Sequence, residues 1–144
     1  MYTVKQLLQM KKPGIWSTSP DATVYDALKL MADQDVGALL VIENNRLVGI
    51  FSERDYARKV ILHGKTSNET LVSEIMTDRV VYVKPSQTTE ECMAIMTEKH
   101  IRHLPVLEGD QILGVISIGD VVKALLSKQE FVIAQLEQYI TGQR

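Results

Sequence analysis

With 144 residues, 45% hydrophobic and 24% charged, the chain has enough apolar material for a core and too little net charge for a disordered polymer. Its formal charge of −2 lacks the basic excess that nucleic acid selects, which argues against that partner and leaves only a local patch open. The single cysteine, Cys92, permits no internal disulfide, and neither a signal-type apolar run nor a bilayer-length stretch is present, so the expectation is a cytoplasmic protein without a membrane partner.

In chain order, TVKQLLQM reads as a short helix, with Lys11 and Lys12 as a solvated turn and Pro13-Gly14 as a break. IWSTSP is extended. Asp21 or a nearby Thr then begins a helix with Val24, Ala27, Leu28 and Met31 at helical spacing. GALLVI is a short strand apolar enough to be buried on both faces. Asn44-Asn45 is a hairpin pair tolerant of positive φ, and RLVGIFS is the returning strand. Ser52 ends that strand, and a helix containing Asp55 starts. A polar stretch from His63 to Asn68 follows, then a short helix at LVSEIM.

The pattern then recurs. A shift of 65 aligns residues 15–61 with 80–126 without a gap, matching Pro20 with Pro85, Thr23 with Thr88, Met31 with Met96, Gly49 with Gly114, Ser52 with Ser117 and Asp55 with Asp120. VVYVKPS, TTEECMAIMTEKH, HLPVL, Gly109-Asp110 and QILGVIS are the counterparts of the first set. The leading helices TVKQLLQM and LVSEIM are 68 apart, so the first connector is longer by three. SKQEFVIAQLEQYITG reads as an amphipathic tail helix, with Gly142 as its stop. The expected division is 1–14 (helix and connector), 15–62 (first repeat), 63–79 (linker and short helix), 80–127 (second repeat) and 128–144 (tail helix). The fold class is α+β, two tandem β-α-β-β-α units packed about a pseudo-two-fold axis.

The repeated G-x-x-S-x-x-D has two readings. Ser and Asp three apart form a helix-capping pair, which both copies need. Alternatively, the first helical turn attracts anions and an Asp there accepts from two adjacent hydroxyls, as on a ribose, while Ser and backbone amides take a phosphate. The spacing alone leaves both open.

The segments VGALLVIENNRLVGIFSERD (36–55), VSEIMT (72–77) and HIRHLPVLEGDQILGVISIGDVV (100–122) resemble the CBS-domain pair, or Bateman module, over about residues 1–127. That resemblance implies a stand-alone regulatory module for energy or redox sensing, with two clefts that take AMP, ADP, ATP or NAD(H), and S-adenosylmethionine after these. It implies one cleft with Ser52, Arg54, Asp55, Arg58, Val80, Val81, Tyr82, Arg102, His103 and Pro105. It implies another with Trp16, Ser17, Thr18, Gly37, Ala38, Leu39, Ser117 and Asp120. It further implies a homodimer and a regulated partner protein that the sequence does not name.

On those assignments the two clefts differ in charge. The first has Arg54, Arg58, Arg102 and His103, and each charge-assisted bond to a phosphate contributes roughly 1.5–3 kcal/mol. The second has Ile118-Gly119 and Gly37-Ala38 at the matching places, so phosphates are expected at Asp55. Trp16 is weighed equally as an adenine stack and as packing. His100-x-x-His103 lacks a third ligand, so no metal is expected. Cys92 lies on an apolar helical stripe and reads as core. No catalytic residue is assigned. The rival readings are a small enzyme acting on an adenine nucleotide, with His103 as its base, and a purely structural dimerisation module.

Overall fold

The structure, a computed structural model, describes residues 2–141. The chain forms two compact units, one of Gly14–Val81 and one that joins Met1–Pro13 to Tyr82–Arg144. The helix that opens the chain therefore belongs to the unit of the second repeat.

In the unit Gly14–Val81, strand β1 (Ser17–Thr18) runs parallel to β2 (Ala38–Glu43), and β2 pairs antiparallel with β3 (Arg46–Ser52) in the order β1-β2-β3. Helix α2 (Val24–Gln34) links β1 to β2. Thr23 caps it, its hydroxyl accepting from the Asp26 amide at 3.1 Å, and Asp35 ends it in the left-handed region at φ 54°. Asn44 and Asn45 turn the hairpin with φ of 53° and 63°, as a two-residue loop of matching twist requires. After β3 come one turn of α-helix, α3 (Glu53–Tyr56), a π-helical turn (Ala57–Ile61) and the short α4 (Val72–Ile75). Val24, Ala27 and Met31 of α2 close with Leu39, Val41, Phe51, Val60, Val72 and Ile75 into one buried cluster, with Leu28 partly buried against it.

The second unit repeats this plan. Helix α1 (Val4–Met10) opens the chain, and α5 (Thr89–Lys99), β4 (His103–Glu108), β5 (Gln111–Ser117) and α6 (Ile118–Thr141) follow Tyr82. Thr88 caps α5 and His100 ends it at φ 56°, the positions 65 beyond Thr23 and Asp35. VVYVKPS contributes only a parallel bridge from Val83 to Val106 instead of a full strand. Both hairpins shift register at the same point, between Val41 and Ile42 and between Val106 and Leu107. Cys92 is fully buried, and burial, helped by the charge of Glu91, pushes its thiol pKa up to about 11, so it is an inert core residue.

The tail differs from expectation. It is not a separate helix from 128 but the continuation of the helix that starts at Ile118, because nothing between Asp120 and Thr141 breaks it. The stop expected at Gly142 lies outside the described residues. No helix of the described residues is long and apolar enough to cross a membrane.

The paired glycines admit the leading segments. Thr77 exchanges both backbone hydrogen bonds with Ile50 at 2.9 Å, and a Cβ on neighbouring Gly49 would lie 2.6 Å from Met76 Sδ and 3.1 Å from the Thr77 carbonyl oxygen. On Gly114 it would lie 2.9 Å from Leu8 Cδ2, the end of a flexible side chain. Leu8 and Met76 are 68 apart, the spacing of the leading helices. A Gly49→Ala substitution, which presses on backbone, is expected to destabilise by about 1–3 kcal/mol in urea unfolding, and Gly114→Ala by less because Leu8 can move. Equal losses would contradict this account of the two glycines.

Candidate ligand-binding sites

Each β-strand that ends in Ser passes directly into a helix, leaving amide groups to be satisfied. Ser52 caps α3: its Oγ accepts from the Asp55 amide at 3.3 Å, and the Asp55 carboxylate accepts from the Ser52 amide at 3.0 Å and hydroxyl at 3.1 Å. Ser117 and Asp120 repeat the cap, at 3.1 Å for the Asp120 amide to Ser117 Oγ and 2.9 Å for the Ser117 amide to Asp120 Oδ2. The capping reading is thus realised in both copies, and it fixes each carboxylate at a helix start.

Each carboxylate also holds a lysine. Asp55, 8% exposed, takes Lys59 Nζ at 3.2 Å and the Thr77 hydroxyl at 3.3 Å, both on Oδ1. Lys59 also donates to the Ile75 carbonyl at 3.1 Å. Asp120 takes Lys11 Nζ at 2.8 Å on Oδ2, and Lys11 donates further to the Val115 carbonyl at 2.7 Å. Lys11 is therefore not a solvated turn residue, because a carboxylate and a carbonyl of the β5–α6 passage claim its ammonium. This also corrects the expectation that Asp120 lies in poorly cationic surroundings.

Of the residues assigned from sequence, the unit Gly14–Val81 contains Trp16, Ser17, Thr18, Gly37, Ala38, Leu39, Ser52, Arg54, Asp55, Arg58, Val80 and Val81. It brings Ala38 opposite Ser52 and the Gly37 carbonyl within 3.2 Å of the Glu53 amide. Leu39 is buried in the core, and Trp16, 41% exposed, accepts from the Leu40 amide through its carbonyl. Val80 and Val81 lie in irregular chain after α4. The other unit contains Tyr82, Arg102, His103, Pro105, Ser117 and Asp120. There His103 pairs with Ser117 and the Arg102 carbonyl accepts from the Ile118 amide at 2.8 Å, so both sit beside the second capping pair. Pro105 is buried, its carbonyl bonded to the Val83 amide, and Tyr82 is half exposed.

The charges around Asp120 act on one another. Burial alone would raise its carboxyl pKa, but the hydrogen bonds from Lys11 and Ser117 and the Lys11 charge outweigh it and hold the group below its ordinary value. His103 is pushed below its ordinary value by burial first and then by the charges of Lys11 and Arg102, with Asp120 opposing. Among the described residues no cluster of three or more His, Cys, Asp or Glu side chains could hold a metal ion.

Sequence reasoning missed Lys59, Thr77 and Lys11. Lys59 was legible as the i,i+4 neighbour of Asp55 on a helix. Thr77 had the weaker signal of ending VSEIMT. Lys11, 109 positions from Asp120, carries no local signal.

The model of the CBS domain family matches residues 4–62 and 72–127, both repeats. The chain belongs to the CBS-domain family. It is 41% identical over 133 residues to the mitochondrial CBS domain-containing protein CBSX3 of Arabidopsis thaliana, covering 89% of this chain and 64% of that one. It is 30% identical over 113 residues to the CBS domain-containing protein YhcV of Bacillus subtilis, covering 78% and 80%. The chain thus spans just under two thirds of the Arabidopsis relative's length. A putative signal-transduction protein with CBS domains from Burkholderia ambifaria superposes with TM-score 0.86 at 51% identity, over 89% of this chain and 96% of that one. A CBS domain pair solved in complex with 5′-methylthioadenosine and S-adenosyl-L-methionine has the same fold, with TM-score 0.76 at 22% identity over 88% and 98% of the two chains.

The depressed His103 pKa sets a pH dependence. Because the folded CBS pair holds fewer protons there than the unfolded chain, this contribution is full above the ordinary imidazole value near 6.5 and is lost as pH falls from it toward the folded value. The Asp120 contribution goes only in more acid solution, below the ordinary carboxyl value near 3.9. Urea midpoints should therefore drop between pH 7.5 and 5.5, and His103→Gln should shrink that drop. An undiminished drop in the variant would assign it elsewhere.

Proposed function

We propose that this CBS pair is a regulatory module that binds an adenosine-containing ligand and has no catalysis of its own. The observation that carries the reading is the duplicated capping pair. Each carboxylate is fixed by its own Ser at a helix start, where an adjacent hydroxyl pair of a ribose is a suitable donor and the first-turn amides suit an anion. Arg54 precedes Asp55 in the same helical turn and Arg58 follows it one turn on; Asp120 has Lys11, with Arg102 and His103 at the neighbouring strand end. AMP, ADP, ATP and NAD(H) meet these features through ribose and phosphate. S-adenosylmethionine shares the ribose but brings no phosphate, although the CBS pair named above was solved with it. Micromolar binding, about −8 kcal/mol, suffices to bias the arrangement of a regulatory module toward one form that a partner protein reads. A reducing compartment such as the cytoplasm suits the buried, unpaired Cys92.

Isothermal titration with these five ligands tests the reading. At least one should bind, Asp55→Ala and Asp120→Ala should each remove a share of the heat, and mass spectrometry should find the ligand intact after long incubation. No heat from any ligand would overturn binding. Turnover would favour the enzyme reading instead.

We also propose that the module pairs with a second copy through α6. Val122, Leu126, Ile133, Leu136 and Ile140 are exposed, and with Gln129 they follow intervals of four and three along one stripe. Leu126, Ile133 and Ile140 then take one core position of a heptad and Val122, Gln129 and Leu136 the other, an apolar seam of coiled-coil spacing interrupted once by Gln129. A CBS-CP12 protein from bloom-forming cyanobacteria, 28% identical over 84% of this chain and 70% of that one with TM-score 0.76, is hexameric, so the fold is compatible with assembly. Sedimentation should show a dimer that Leu136→Glu converts to monomer. A dimer untouched by that change would remove α6 from the interface.

A further inference from the structure

Lys11 reaches Asp120 from the far end of its unit, and its position has a consequence for ligand choice that the capping pair alone does not. The ammonium sits 2.8 Å from Asp120 Oδ2 and 2.7 Å from the Val115 carbonyl, with both side chains of the ion pair partly exposed, at 33% and 25%. It shares Oδ2 with the Ser117 amide, one of the two oxygens that an adjacent hydroxyl pair would use. We propose that Lys11 is a specificity-determining residue which makes the Asp120 site select an anionic adenosine ligand over a neutral one. The inference rests on the ligand reading above.

A neutral nucleoside whose adjacent hydroxyls take both carboxylate oxygens of Asp120 must compete with Lys11 for Oδ2 and offers the ammonium nothing in return. A ligand that also carries a phosphate replaces the lost ion pair with a new one, because the long lysine stem can swing from carboxylate to phosphate while Asp120 turns to the hydroxyls. Arg102 sits beside the neighbouring strand end, its carbonyl accepting from the Ile118 amide, so its charge adds to that of Lys11 in favouring an anion once Asp120 is engaged. At Asp55 the carboxylate side chain is less open, 10% exposed against 25% at Asp120, and already takes Lys59 and the Thr77 hydroxyl on Oδ1 and the Ser52 amide and hydroxyl on Oδ2. The exchange proposed here therefore belongs to the second site.

The test follows the backbone amide signals of Ser117 and Asp120 by two-dimensional NMR during titration with AMP and with adenosine, and the Ser52 and Asp55 amides in the same spectra. In the wild type, AMP should perturb Ser117 and Asp120 with an affinity at least about tenfold above that of adenosine, the worth of one charge-assisted bond. Lys11→Met should bring that ratio close to unity, and Lys11→Arg should keep it. An unchanged ratio in Lys11→Met overturns the assignment while leaving the ligand reading intact. So does perturbation confined to Ser52 and Asp55. If neither ligand moves either pair of amides while AMP and adenosine also give no heat in calorimetry, the ligand reading itself fails and this inference with it.

Discussion

A strand that runs straight into a helix leaves several amides without partners, and this chain meets that constraint twice with a Ser and an Asp three residues apart. Ser52 and Ser117 each take an amide of the first helical turn, and Asp55 and Asp120 each reach back to the amide of their Ser. The observed cap and the proposed binding role are therefore compatible. The cap holds the carboxylate in one place at low conformational cost, and a fixed carboxylate is what recognition of a hydroxyl pair needs. Burying that charge in turn demands a cation, which explains why a lysine stands beside each one.

The two lysines come from different parts of the chain, and this is where the repeat stops being a repeat. Lys59 is supplied by the same helical stretch as Asp55, so the pair forms whenever that stretch does. Its counterpart 65 residues on is Ala124, which is buried, so the second copy has no lysine at the matching place. Lys11 fills the role from the connector after α1. One capping scaffold thus carries a local ion pair in one copy and a long-range one in the other, and the long-range pair is the one whose formation depends on where the opening segment docks.

Much of this was legible in the amino-acid order. The shift of 65 located both hairpins, both first helices and both Ser–Asp pairs, because each is set by nearby residues, with Asn44-Asn45 and Gly109-Asp110 as turns; the first helix was expected to start at Asp21 or a nearby Thr, and it is Thr23 that caps it, as Thr88 caps its counterpart. The family followed from the same segments, and the family match covers both repeats. What was not legible depends on distance or on continuation. Nothing near Lys11 signals Asp120. The helix through Ile118–Thr141 read as two because the repeat ends inside it, although no residue there interrupts helical geometry. The π-helical turn at Ala57–Ile61 has no sequence mark, since the residues there suit an ordinary helix equally well.

The placement of α1 links these points. The segment ahead of the second repeat, 72–77, docks on the sheet of the first repeat and joins a unit contiguous from Gly14 to Val81, whereas the segment ahead of the first repeat docks on β5 of the second. One unit can close with local chain alone; the other must bring Val4–Met10 back across the whole intervening repeat. The entropy of closing so long a loop grows only as the logarithm of its length, so the buried contacts of Val4 and Leu7 and the backbone bonds to Pro85 and Gln87 can offset it. The Lys11–Asp120 pair stands at the end of that docked segment. Whatever changes the occupancy of Asp120 changes how firmly the opening segment is held, and that coupling is available at the second carboxylate and not at the first, where the lysine is local.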